Sequence, residues 1–152
     1  MPNLIQLTLI DDIWNMWHDD CPLDELILDT ESLNIPKLHS KYSRFLMDEN
    51  RHLSKMRETH KVLERDKYEY YQGKMCQEDL EDRGWEPLQI KILRTDIPRY
   101  LHGDTDVVRH LIQISEQAEK VSLLKSILQE INHRGFRIKS AIDWKKFING
   151  VN

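Results

Sequence analysis

The sequence predicts a mainly α protein of two long helices, several short ones and one short strand at most. Three observations carry that expectation. Between Pro36 and Gly73 no proline or glycine interrupts the chain. From Val107 to Ile131 apolar residues recur at helical spacing. One short stretch, "LQIKILR" (Leu88–Arg94), instead alternates apolar and polar positions as a strand does. The chain has 152 residues, 39% of them hydrophobic and 32% charged, which suits one domain or one core with an arm and excludes a disordered chain.

Taken in order, Ile10, Ile13, Trp14 and Trp17 lie on one helical face, predicting a short helix over 9–18. Asp20 followed by Pro22 reads as the start of a second short helix through Leu28. Asn34 and Pro36 then open the first long helix, and Gly73 closes it. Its seam Leu53, Met56, His60, Leu63, Lys67, Tyr70 has coiled-coil-like 3,4 spacing, but two of its six positions are polar. Alongside runs a basic stripe that includes Arg57, Lys61 and Arg65 at i, i+4, i+8.

Residues 74–106 read as irregular, with Pro87 and Pro98 breaking any long helix and the short strand between them. In "HGDTD", Asp104 or Thr105 caps the second long helix, which spans about 106–134 and ends at Gly135. "SAID" (Ser140–Asp143) reads as the cap of a last short helix bearing Trp144, Phe147 and Ile148. The second long helix has a broad apolar face. Its members Leu124, Leu128 and Ile131 are the expected assembly surface, because a small chain with a thin core gains by covering such a face with a copy of itself.

The net charge of −4 conceals blocks of alternating sign. Residues 1–35 hold eight acids and no lysine or arginine, whereas 36–74 hold ten bases against six acids. This divides the chain into an acidic N-terminal helical arm, 1–35, and a helical body, 36–152. Blocks of this kind bind one another or present one sign to a partner.

The apolar stretch Leu4–Ile10 is too short for a membrane span and has no basic residues before it, so it is not a signal peptide either. Cys21 and Cys76 read as free thiols in a reducing compartment. Catalytic patterns are missing. "QGKM" lacks the glycine loop and hydroxyl of a phosphate-cradling motif. His52/His60 and His102/His110 are each eight residues apart, too far along a helix to share a metal ion. The expectation is a protein that is not an enzyme and needs no metal or cofactor.

The segment "LERDKYEYYQGK" (Leu63–Lys74) stands out. Bases for phosphates and rings for stacking are what single-stranded nucleic acid requires. Lys61, Arg65, Lys67, Lys74, Tyr70 and Tyr71 supply both. Equally, Tyr70 completes the apolar seam, Lys67 lies on it, and Glu64, Asp66 and Glu69 cancel much of the charge. Both readings stand on the residues alone.

"KYEYYQGK", "LDELILDTESLNIPKLHSKY" and "INHRGFRIKSAIDWKKFINGV" together resemble the UvsY family of recombination mediators from T-even-type phages, over roughly residues 20–152. The resemblance implies a non-enzymatic, mainly helical protein that forms a ring-like homo-oligomer through its C-terminal region in the cytoplasm of the infected host cell. It implies three further partners: single-stranded DNA, the phage single-strand-binding protein and a RecA-like recombinase, which the mediator helps to load. Arg65 and Lys67 fall where the family has two bases before its paired tyrosines, and Gly73 and Lys74 match the motif's close. Tyr68 departs from it, standing where an aliphatic residue is usual. The rival reading is a helical scaffold that forms a ring without binding DNA. The acidic arm is open between docking a basic partner and shielding the chain's own bases.

Overall fold

The computed structural model describes residues 9–150. Of the apolar stretch Leu4–Ile10, all but its last two residues lie outside them. Five helices form among the described residues: α1 (Ile10–Asp20), α2 (Leu28–Tyr71), α3 (Gln77–Arg83), α4 (Ile97–His102) and α5 (Thr105–Ile148). The mainly α class with two long helices is as expected. Among the described residues there is no strand.

Contacts group the chain into two compact units, divided elsewhere than at the charge boundary near residue 35. One takes the chain up to Asn50 together with Glu119 onward, and the other is Arg51–Ala118. The reason is that α2 and α5 are each 44 residues long, so each contributes a stretch to both units.

In the first unit, Ile13, Tyr42, Leu124, Ile127 and Ile131 form a buried core, with Trp17, Ile35, Leu38, Phe45 and Leu128 packed around it. Trp17 meets Tyr42 edge to face at 5.6 Å, the favoured geometry for two aromatic quadrupoles. The Tyr42 hydroxyl donates to Asp20 at 2.9 Å, and Lys41 pairs with the same carboxylate. Burial works against ionisation of Asp20, but these two donors outweigh it and hold the carboxyl below its usual range.

Two boundaries differ from the sequence expectation here. No second short helix forms over 22–28, and α2 begins at Leu28, eight residues before Pro36. The cause is tertiary. Arg134 is buried and its guanidinium donates to the carbonyls of Cys21 and Pro22 at 2.9 and 2.8 Å and to Glu31 at 3.1 Å. That bidentate clamp holds 21–22 as loop and anchors the first turns of α2, while Leu28 and Ile35 bury. Together these contacts outweigh the roughly 3 kcal/mol that an interior proline costs.

Likewise α5 does not end at Gly135 and "SAID" caps nothing, since the helix runs on to Ile148. Ile131, Arg134 and Ile138 are all buried at i, i+3, i+7, so docking on both sides of Gly135 keeps the helical phase.

In the second unit, Leu53, Leu80, Ile97 and Val107 are buried together with polar His60, Asp66, Lys67 and Asp104. Gly73 ends α2 as expected, at φ +70, with its amide on the Tyr70 carbonyl and that of Lys74 on Glu69. Within 74–106, read as irregular, α3 and α4 form. Gly84, also left-handed, closes α3, and Pro98 sits in the first turn of α4, where a missing amide costs nothing. Residues 88–92 run without a ladder, because a lone alternating segment has no neighbour to pair with.

Candidate nucleic-acid interface

The end of α2 alternates between outward cations and inward polar anchors. Asp66 and Lys67 are buried, whereas Lys61, Arg65 and Lys74 are exposed. The Lys67 ammonium lies 3.0 Å from Asp104 and 2.8 Å from Asp106, and 4.1 Å from the centre of the Trp85 ring. It is an internal strut. Asp104 also caps α5, accepting from the amides of Asp106 and Val107 at 2.9 and 3.2 Å, and it takes the Tyr71 hydroxyl at 2.7 Å. Burial opposes the charged Asp104, but the bonds from Tyr71, Lys67 and the Val107 amide prevail and lower its pKa. The same contact, with burial as the larger cause, raises that of Tyr71.

The tyrosines belong to a row of four rings. Trp85 and Tyr70 are 5.4 Å apart, Tyr70 and Tyr71 5.1 Å, Tyr71 and Tyr100 5.8 Å between centroids. The Tyr70 hydroxyl donates to the Glu86 carbonyl at 2.7 Å, so both tyrosines are tethered and only partly buried. Around them, Arg65 and Arg83 share buried Asp66 at 2.7 and 2.9 Å, with the Arg65 side chain 64% exposed. Lys61 pairs with Glu58 at 2.8 Å on the surface. Lys74 has no ion pair among the described residues. Exposed Lys91, Arg94 and Arg99 stand on the segment that follows. Sequence reading missed these and the partners Trp85 and Asp104, because nothing in local spacing places 85–104 beside α2.

Residues 16–151 match the family described as "Recombination, repair and ssDNA binding protein UvsY". The chain belongs to the UvsY family. Crystal structures of the bacteriophage T4 recombination mediator protein UvsY superpose on it in two lattice types, IV and II, each with a TM-score of 0.79 at 20% identity. They cover 92% and 94% of this chain and 99% of the T4 chain, so the fold is shared almost throughout. No curated protein matches the chain in sequence. The family match starts at residue 16, within α1, and takes in all of α2 and α5.

The residues expected from the apolar face to form the assembly surface, Leu124, Leu128 and Ile131, lie in or against the core of the first unit. Leu124 and Ile131 are fully buried in the chain's own core and Leu128 packs against it, because α1 and α2 already cover that face. The apolar residues left exposed near the C-terminus are Phe136, Trp144, Phe147 and Ile148, at 62–76%, with the Trp144 and Phe147 rings stacked at 5.7 Å. Of the bases there, Arg134 is buried and Arg137 pairs with Glu130. His60 meets His110, not His52, with parallel rings 5.3 Å apart and Nδ1 atoms at 3.2 Å. Among the described residues no group of three metal-ligating side chains occurs, and no helix is long and apolar enough to cross a membrane.

Proposed function

We propose that this UvsY-family chain is a recombination mediator that binds single-stranded DNA as a homo-oligomer in the cytoplasm of the infected host cell. It would help a RecA-like recombinase onto strands covered by single-strand-binding protein. The observation that carries this reading is the end of α2, where exposed Lys61, Arg65 and Lys74 flank a tethered row of aromatic rings. Cations bind any phosphate chain, but rings stack only on bases freed from a duplex, so the combination selects single strands. Lys67 supports the surface from within.

One such patch binds weakly. A ring of copies raises affinity by presenting many patches to one strand, and the exposed Trp144, Phe147 and Ile148 support self-association near the C-terminus. Exposed Asp11, Asp12 and Asp19 with half-exposed Trp14 on α1 suit a basic partner surface. The rival reading, a scaffold whose helices only assemble, rests on the same apolar C-terminal face and has no use for the exposed cations.

Fluorescence anisotropy of labelled single- and double-stranded oligonucleotides over a salt series decides between them. The mediator prefers the single strand and loses affinity steeply with salt. Lys61→Gln/Arg65→Gln flattens the slope by up to roughly 0.7 per lost phosphate contact on each engaged subunit. An intact double variant with unchanged affinity and slope removes this segment from the interface, and absence of saturable binding by the native protein leaves the scaffold.

A further inference from the structure

Two adjoining clefts flank the row of rings. One, about 420 Å³, is lined by Tyr71, Gln72, Gly73 and the segment Leu88–Ile92. The other, about 210 Å³, is lined by Tyr70, Gly73, Met75, Leu80, Pro87 and Leu88. Gly73 and Leu88 are common to both, so the clefts meet at the left-handed turn that ends α2, and each has one tyrosine in its wall. A Cβ added at Gly73 would meet nothing within 4 Å, so the space beside the turn is open.

The walls carry unused hydrogen-bonding capacity. Among the described residues the side-chain amides of Gln72 and Gln89 have no partner, and the amides and carbonyls of 88–92 make no backbone hydrogen bond. Buried polar groups need partners, but these are open to solvent and so remain available to a ligand. Lys74 and Lys91 are both exposed and free of ion pairs among the described residues; Lys91 lines the larger cleft, and Lys74 follows Gly73, which lines both.

We infer that the paired cleft seats unstacked nucleobases of the bound strand, one against Tyr71 and the next against Tyr70, with Lys74 and Lys91 holding the phosphates. The inference rests on the single-strand reading above and gives it a base-recognition site. The ring of Tyr71 in one wall and of Tyr70 in the other suits the faces of bases. Two free side-chain amides and an unpaired backbone segment suit its edges, since single-strand recognition uses ring stacking together with hydrogen bonds to exposed base edges. The cations favour a nucleic acid over an extended peptide, which would pair with 88–92 but leave Lys74 and Lys91 unused. The larger cleft falls within the roughly 300–1,000 Å³ of small-ligand sites. Its two glutamine amides predict a dependence on base identity that Tyr70, in an amide-poor cleft, does not produce.

The test compares a labelled oligothymidylate with an abasic strand of the same length and phosphate count, by anisotropy at one salt concentration. The native protein is expected to prefer the base-bearing strand by about 5-fold or more for each seated base. Leu88→Trp fills both clefts and should remove that preference while affinity for the abasic strand and its salt slope stay as they were. Gln72→Ala/Gln89→Ala, which removes both side-chain amides from the larger cleft, should reduce discrimination among oligonucleotides of different base composition even if the tryptophan variant fails to fold. Equal affinity of the native protein for both strands overturns the inference and leaves a phosphate-only interface. So does a folded Leu88→Trp protein with its preference intact, or competition by an extended peptide in place of bases. Failure of the native protein to bind either strand overturns the single-strand reading itself.

Discussion

Replacing Lys67 with methionine separates an internal strut from a DNA contact. Its side chain is 6% exposed, as is that of Asp104, so the substitution leaves a buried carboxylate without its cation. Removing one partner of a buried pair costs about 3–5 kcal/mol. The lower end applies, because Asp104 keeps the Tyr71 hydroxyl and two α5 amides and Asp106 keeps Arg109 at 3.3 Å. A loss of about 3 kcal/mol in a chain of this size lowers Tm by roughly 6–12 °C. Acid sensitivity should also shrink. A carboxyl with a lowered folded pKa stabilises the protein above its unfolded value of about 3.9, and that contribution is lost as pH falls through the folded value. Without Lys67 the folded value rises, and the loss at acid pH shrinks in size because less stabilisation remains to lose. Urea denaturation followed by circular dichroism and tryptophan fluorescence measures the first effect, and the salt slope of oligonucleotide binding by protein that remains folded should be unchanged. Stability within about 0.5 kcal/mol of native, together with a slope reduced by roughly 0.7 per engaged subunit, would refute the strut and return Lys67 to the phosphate surface.

Gly135→Ala should stabilise by about 0.5–1 kcal/mol, since the residue lies inside α5 and its added methyl would sit an ordinary 3.9 Å from Ile35; a lower denaturation midpoint would show that the site does not admit a methyl. Leu124→Ala, at a fully buried core position, should cost about 2–5 kcal/mol, whereas Trp144→Ser/Phe147→Ser should reduce the mass seen by sedimentation with little change in Tm; the reverse pattern would restore Leu124 to an assembly face. Burial, and then the neighbouring His60, hold the His110 pKa below 6.5, so its contribution to stability is complete above about 6.5 and is lost as pH falls through the lower folded value. Glu64, 3.5 Å from the far nitrogen of His60, is the nearest carboxylate to the pair. The urea midpoint should therefore drop between pH 7.5 and 5.5, and His110→Phe should flatten that drop.

What the sequence determined by itself follows from periodicity and local chain chemistry. The helical class, the stop of α2 at Gly73 and a cap at Asp104 or Thr105 depend on residues within a turn of one another, and all could be read directly. So could the concentration of bases and rings in Leu63–Lys74. Tertiary structure decided the rest. Pro36 and Gly135 would each end an isolated helix, but buried Arg134, Ile131 and Ile138 hold both helices through them, and no local pattern announces a guanidinium that reaches back more than a hundred residues to Cys21 and Pro22. The same holds within the candidate interface. Lys67 and Arg65 are alike in sequence, two bases two positions apart. Only the arrival of Asp104, Asp106 and Trp85 from far along the chain turns one inward as a strut and leaves the other in solvent, because a buried ammonium is stable only where carboxylates are waiting for it. Leu124 and Ile131 make the matching case for apolar groups. Their hydrophobicity required a cover, and whether that cover was a second copy or the chain's own α1 and α2 depended on packing that one helix cannot reveal.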